Sequence, residues 1–330
     1  MPITQTAPSF WMGGLRATDL IEISNDLGCL EDGGFWAVLL TFEGKFTAAK
    51  FAVVEKSVFP LSEWDPLPGQ WRSSFGESEY KDYVERVRAA IADGWVYQVN
   101  ACRVLNNNSQ VQSLSGLFTQ ILKDNPAPWA SYLDIPGLNV ASASPELFLL
   151  RDGALVRTSP IKGTLRPDET SFGPKDKAEN VMIVDLMRND LGKICKSGSV
   201  KVPRLLSTED HPGLQHLVSD IEGELMEGIS WKDIFAALSP PGSVSGAPKF
   251  TALKMISENE NERGPYCGAL GWVQGDKCSL SVAIRTFWLD NGVNFGTGAG
   301  ITWSSDAKQE WEETVLKANR LIAIAEGRMP

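Results

Sequence analysis

Glu310, Glu313 and Lys317, in the segment QEWEETVLK, fall three and four residues apart and so share one face of a helix. Two carboxylates at that spacing can approach one hard cation, directly or through water, while the ammonium one turn further on reaches for an anionic ligand. A solvated charged face held by ion pairs would show the same pattern. Asp176 and Glu179 repeat the three-residue spacing in KDKAENVMIVDLMRNDLGKI, beside the apolar run Val181 to Leu186. That run is too apolar for a free surface, so Glu179 borders buried structure and needs a partner, either a shared metal or a basic side chain. In TSPIKGTLRP, Lys162 follows a proline that fixes the approach of the chain and precedes Gly163-Thr164, where backbone N–H groups can hold a carboxylate. A lysine in a surface turn reads alike. The stretch PPGSVSGAPK sets small residues and Lys249 ahead of a helix but lacks GxxxxGK[ST], so no ATP loop is read there. FGTGAGI offers glycines for close approach of backbone to a ligand, or for a strand bulge.

These groups need a scaffold. Periodicity predicts helices from Glu77 to Ala92, Asp176 to Ile194, Trp231 to Leu238, Pro248 to Asn259 and Ala307 to Glu326. The last has Ser305 or Asp306 as its cap and an apolar stripe through Trp311, Val315, Ala318 and Ile322. Strands are predicted from Trp129 to Ile135, Val140 to Ala143, Leu147 to Leu150, Leu155 to Thr158, Gly268 to Val273, Cys278 to Trp288 and Gly292 to Phe295, with YQVNACRVL as a further one. Glu43-Gly44 marks a hairpin within Gly33 to Val54. Strands mixed with long helices, without regular alternation, predict an antiparallel α+β fold rather than a doubly wound sheet. The Pro-, Gly-, Ser- and Trp-rich stretch from Pro60 to Gly76 divides a short β-rich region, 1–75, from a main body, 76–330.

The composition narrows the chemistry. With 330 residues, 41 acidic against 31 basic and a net charge of -10, the chain has no overall basic footprint for nucleic acid or anionic lipid. Only His211 and His216 are present, which excludes a histidine-rich metal centre and leaves oxygen ligands and lysines. The five cysteines are scattered with no CxxC pair, consistent with a reduced, cytoplasmic chain. The N-terminus lacks a basic segment followed by an apolar run, and no membrane span is expected.

Taken in order, YQVNACRVL, SASPELFLL, TSPIKGTLRP, KDKAENVMIVDLMRNDLGKI, HLVSDIEGEL, PPGSVSGAPK, AIRT, GAGI and QEWEETVLK resemble the chorismate-utilising enzyme family, from about Tyr97 to Lys317. The family includes anthranilate, isochorismate, salicylate and aminodeoxychorismate synthases. The resemblance implies an α+β fold in which two antiparallel β-sheets form a sandwich with helices packed outside, around one chorismate–magnesium site. The chorismate-binding catalytic domain would then occupy 76–330, and the usual N-terminal sheet would be abbreviated. Glu179 and Glu313 are implied as direct magnesium ligands, with Asp176 and Glu310 acting through the ion's water shell. Arg285, Tyr266, Lys317 and the backbone of Gly298, Ala299 and Gly300 are implied to hold the substrate's carboxylates. Thr164 and Ser245 would line the same cavity, and His216 matches the family's active-site histidine.

Two positions bear on the reaction. The PIKGT form with Lys162 resembles the aminodeoxychorismate synthases, whereas anthranilate and salicylate synthases carry alanine at this point. Gln98 stands where the water-adding branches carry an activating lysine, and an amide cannot act as that base. The implied reaction replaces the 4-hydroxyl of chorismate by an amino group. Lys162, if desolvated, attacks C2 while Glu146, placed by SASPE, protonates the departing hydroxyl; ammonia then attacks C4 and expels the lysine. No cysteine sits in a Gly-rich nucleophile elbow with a downstream His-x-Glu, so a separate glutaminase subunit, component II, is expected to supply ammonia. The product would serve para-aminobenzoate and folate synthesis or a secondary metabolite. No leucine-leucine-glutamate-serine motif is present, so a regulatory tryptophan pocket is not expected. Two rival expectations are an ammonia-dependent anthranilate synthase and a catalytically silent chorismate-binding scaffold subunit.

Overall fold

The chain is seen in a computed structural model whose described residues are 7–165, 171–211 and 214–328, with backbone alone at 164, 165, 211 and 214. Every strand pairing among them is antiparallel. From the hairpin Lys201–His211 and Leu214–Glu224, hydrogen bonding passes in turn through Leu155–Ser159, Leu147–Asp152, Lys277–Val282, Ala269–Gln274, Phe35–Leu40 and Phe46–Lys56. It continues through Leu15–Ser24, Ser9–Met12, Ser131–Ile135, Leu138–Ser142, Thr286–Leu289 and Val293–Ile301 to Gln98–Asn107. The antiparallel α+β class expected from the sequence is present. Where the resemblance implies two sheets, the strands Leu15–Ser24 and Ser9–Met12 carry the ladder across, so one connected sheet results.

Strands from the first 56 residues are woven into this path, and Phe35–Leu40 is buried at every position. A strand covered on both faces has no polar alternation, which is why FWAVLL reads as a continuous apolar run. The five predicted helices form within two residues of their expected ends. Helix Ser115–Asp124 and strand Lys201–His211 escaped the sequence reading. The latter, KVPRLLSTEDH, carries a proline and few apolar residues, so its strand character comes from pairing with Leu214–Glu224 rather than from its own pattern.

Two departures matter for the site. The expected strand Cys278 to Trp288 is broken between Val282 and Thr286, where Arg285 adopts a left-handed φ of 53°. In the C-terminal helix, Ala307–Ala325, the buried face runs through Glu310, Thr314, Ala318 and Leu321, while Trp311 and Val315 are half-buried. The helix is seated on the glycine-rich strand, with Thr297 Oγ1 donating to the Thr314 carbonyl at 2.7 Å. Glu310 is thereby turned inward. No helix among the described residues is long and apolar enough to cross a membrane.

Candidate active site

Lys162 sits where the strand Ile161–Leu165 slips register against Leu214–Glu224: Ile161 faces Val218, yet Thr164 faces His216. The extra residue makes a bulge, which re-aims a side chain out of the regular alternation. Gly163, at φ 82°, makes the bend, and a Cβ there would lie 2.9 Å from the Asp176 Cβ, so only glycine lets the acidic helix Pro174–Gly192 come this close. The ammonium-bearing end of Lys162 donates to the Ser243 carbonyl at 2.8 Å.

Glu146 meets Lys162 around the same residue. Its carboxyl accepts hydrogen bonds from the Ser243 side chain and the Ile161 backbone. The SPE turn is pinned to strand Lys277–Val282, since Ser144 Oγ donates to the Val282 carbonyl at 2.6 Å and Val282 N–H donates to the Glu146 carbonyl at 3.0 Å. Only 3% exposed, Glu146 has its pKa pushed up to about 7 by burial, against the pull of its Ser243 bond and of Lys162. A carboxyl so poised is partly protonated near neutral pH and can both give and take a proton there. Gln98, at the start of strand Gln98–Asn107, is 1% exposed, and neither its amide nitrogen nor its amide oxygen has a hydrogen-bond partner among the described residues. Buried amides are rarely left so. A Cβ on Gly300 would stand 2.5 Å from that amide nitrogen and 3.7 Å from Lys162 Nζ, which brings Gln98, Gly300 and Lys162 to one place.

The expected magnesium ligands line the helical side. Lys175 Nζ lies 3.2 Å from a Glu310 oxygen and 3.8 Å from Glu179 Oε1. Glu179 Oε1 is buried and accepts no hydrogen bond from the described residues. Burial raises the pKa of Glu179; Lys162 and Lys175 oppose the rise, while Glu313 and Glu310 add to it. Burial and then the neighbouring Glu313 raise Glu310 likewise. Glu313, whose side chain is half-exposed, is bridged to Lys317 at 2.5 Å; partial desolvation pushes its pKa up, but that ammonium outweighs it and holds the carboxyl below the usual range. Lys317 also donates to the Gly298 carbonyl at 3.1 Å. Asp176 accepts from the Gly173 N–H at 3.0 Å, closing the first turn of its helix. Among the described residues no three carboxylates, imidazoles or thiolates converge tightly enough to hold an ion. The orphaned Glu179 oxygen and the hard-oxygen character of the set nevertheless suit magnesium.

Arg285 and His216 meet beside Gly163. The left-handed turn at Arg285 sets its guanidinium 3.2 Å from His216 Nε2, while His216 Nδ1 lies 3.5 Å from the Gly163 carbonyl. A guanidinium only donates and a carbonyl only accepts, so these two contacts match the tautomer of His216 that carries its proton on Nδ1. Burial, then repulsion from Arg320, lowers the Arg285 pKa to about 10. Tyr266 packs its ring where Gly296 has no side chain, and burial raises its phenol well above the ordinary value. Ser245 is wholly buried and donates to the Pro241 carbonyl at 3.0 Å. The Thr164 side chain lies outside the described residues.

Sequence reasoning missed Ser243, Lys175 and the buried pair of Arg263 with Glu260, bidentate at 2.7 and 2.8 Å. Glu260 accepts the Cys102 N–H and Arg263 donates to the Asn100 and Val244 carbonyls, so the pair fixes the Gln98–Asn107 strand to the Ser243 loop. Lys175, one turn ahead of Glu179, carries an i,i+4 signal that could have found it. Lys249 is structural: it bridges Asp190 at 2.5 Å and ties its helix to the acidic one. A cavity of about 380 Å³, lined by Arg72, Ser73, Phe75, Arg103, Glu260 and neighbours, contains none of the expected site residues.

A family model described as chorismate binding enzyme matches residues 43–323. Anthranilate synthase component 1 of Aquifex aeolicus (strain VF5) is 36% identical over 279 residues, 80% of this chain and 56% of that protein. Aminodeoxychorismate synthase component 1 of Escherichia coli (strain K12) is 36% identical over 288 residues, 83% of this chain and 63% of that protein. The chain therefore spans about three fifths of the length of these curated relatives. In fold it is similar to MenF, the menaquinone-specific isochorismate synthase of Escherichia coli, with a TM-score of 0.82 at 20% identity over 98% of this chain and 90% of that one.

Proposed function

We propose that this chain, which belongs to the chorismate-binding enzyme family, aminates chorismate at C4 to give 4-amino-4-deoxychorismate, as the component I of an aminodeoxychorismate synthase. The meeting of Lys162 and a protonatable Glu146 around Ser243 carries this reading. Lys162 Nζ forms a bond to ring C2 as the C4–oxygen bond breaks, and Glu146 hands its proton to the departing hydroxyl, which leaves as water. Ammonia then bonds to C4 and the C2–nitrogen bond breaks, returning the lysine. Burial of Glu146 keeps its proton available, and Gln98 offers an amide that cannot activate water, which favours ammonia as the incoming nucleophile. Arg285 and Lys317 supply positive charge for the substrate's carboxylates. Magnesium, held by Glu179 and Glu313 and through water by Asp176 and Glu310, would neutralise the ring carboxylate. A separate glutaminase subunit would deliver the ammonia.

Equal identity to an anthranilate synthase makes the product the deciding observation. With chorismate, magnesium and ammonium at mildly alkaline pH, the expected product by mass and retention is 4-amino-4-deoxychorismate, with its enolpyruvyl group intact. Anthranilate and pyruvate would reject the reading. Without ammonia, intact-mass analysis should find dehydrated chorismate on the peptide containing Lys162.

A further inference from the structure

The carboxylates assigned to the metal are not waiting bare: each that reaches the site is already matched by a lysine. Lys317 bridges Glu313, and Lys175 lies between Glu310 and Glu179, which come from the separate helices Ala307–Ala325 and Pro174–Gly192. The Glu310 side chain is 4% exposed and that of Glu179 15%, whereas Lys175 is 45% exposed. Two inward carboxylates thus share one cation that arrives on a long, solvent-reaching stem.

Resting on the magnesium reading above, we propose that Lys175 is a tethered counter-ion that fills the electrostatic place of the metal and is exchanged for it on binding. Two carboxylates brought together at low exposure repel one another and are costly without a cation. The lysine meets that cost in the metal-free protein. A dication placed near Glu179 and Glu310 would then repel the ammonium, and the exposed stem gives Lys175 a way out to solvent that neither glutamate has. Lys175 is the candidate for exchange rather than Lys317, because Lys317 is also held by the Gly298 carbonyl. Glu179 points the same way, since its Oε1 reaches the ammonium only at 3.8 Å and accepts no hydrogen bond from the described residues. The lysine balances its charge without satisfying its lone pairs, which a metal or its water shell would do.

Magnesium titration by calorimetry, without chorismate and at low salt, compares the wild-type chain with Lys175→Met and Lys175→Arg. Exchange requires Lys175→Met to bind magnesium more tightly, by about three- to fivefold for a half-exposed pair, and Lys175→Arg to gain nothing. Thermal melts guard against a folding artefact: metal-free Lys175→Met should melt below wild type and recover more on adding magnesium. Equal or weaker binding by a folded Lys175→Met chain would overturn the exchange while leaving magnesium in the site. No binding heat from any chain, with or without chorismate, would remove both.

Discussion

The two sides of the site solve the burial of charge in different ways. On the sheet side, Lys162 leaves a bulge in the ladder to bind the Ser243 carbonyl, Glu146 is kept protonatable beside the Ser243 side chain and the Ile161 backbone, and Gln98 has no hydrogen-bond partner among the described residues. On the helical side, Glu179, Glu310 and Glu313 are balanced by Lys175 and Lys317. A backbone carbonyl cannot leave, so Lys162 is placed before any ligand arrives. Side-chain partners can leave, so the helical side can trade its internal cations for external ones. The proposed proton transfer and bond-making would need placement within fractions of an ångström, and the residues proposed for them stand on the side built on the ladder.

The largest effect expected from this division is at Lys162. Lys162→Ala should reduce formation of 4-amino-4-deoxychorismate to background and abolish the adduct, while magnesium binding on the helical side persists. If the variant still turns over ammonia, its product should shift towards addition at C2. Amination at C4 at the original rate would make Lys162 a carboxylate-binding group and end the covalent route.

Next in size is Glu146. Glu146→Gln should lower kcat by about 10²- to 10⁴-fold with little change in KM, because the amide occupies the space but cannot deliver a proton. In the wild type the acid must be protonated, so kcat should fall as pH rises through about 7. Stability gives an independent readout with a defined sign. The folded pKa lies above the unfolded one, so the native state binds the proton more tightly; that contribution is full below the unfolded pKa and is lost as pH rises through about 7. Melting temperatures of wild type and Glu146→Gln should therefore agree near pH 4 and diverge at pH 8, with the variant higher. Parallel curves would show that burial of Glu146 does not hold its proton.

A smaller and more local effect separates placement from packing on the glycine strand. A Cβ at Gly298 would lie 2.7 Å from the Ala101 carbonyl oxygen, whereas one at Gly300 would meet the far end of the Gln98 side chain. Gly298→Ala should cost about 1–3 kcal/mol, read by urea melts, because the ladder itself must shift. Gly300→Ala should keep most stability but raise KM for chorismate by displacing Gln98. Equal loss of stability in both would argue that Gln98 is wedged as firmly as the backbone.

Much of this was legible in the sequence because the helices and most strands follow periodicity, and the paired acidic spacings survive as real helical faces. The helix Ala307–Ala325 shows the limit. Its periodicity is correct, but Glu310 lies on the buried face, where Lys175 from a distant helix meets it. The bulge at Lys162 and the left-handed turn at Arg285 were equally hidden, for both depend on pairing partners distant in the chain. Ser243 contributes a carbonyl to Lys162, and carbonyls have no letter in a sequence.

Lys249 supplies the smallest expected effect on activity and the control for the whole comparison. In sequence it looks as much like a ligand-facing lysine as Lys162 does, since both stand in short runs of glycine and small residues. In the fold it faces Asp190, which is 1% exposed and is also bridged by Lys193 at 2.8 Å. Burial lowers the Lys249 pKa and Asp190 opposes the fall, so its charge is spent on joining two helices. Lys249→Met keeps the length of the stem and removes the charge. Breaking a buried pair outright costs about 3–5 kcal/mol; because Lys193 still compensates Asp190, the loss in urea melts should be nearer 1–2 kcal/mol, in the range common for single substitutions. Turnover and magnesium affinity should stay within about twofold of wild type, as expected for a site more rigid than the contact removed. A drop in kcat comparable to that of Lys162→Ala, with the melt unchanged, would mean that the loop before this helix belongs to the reaction side after all.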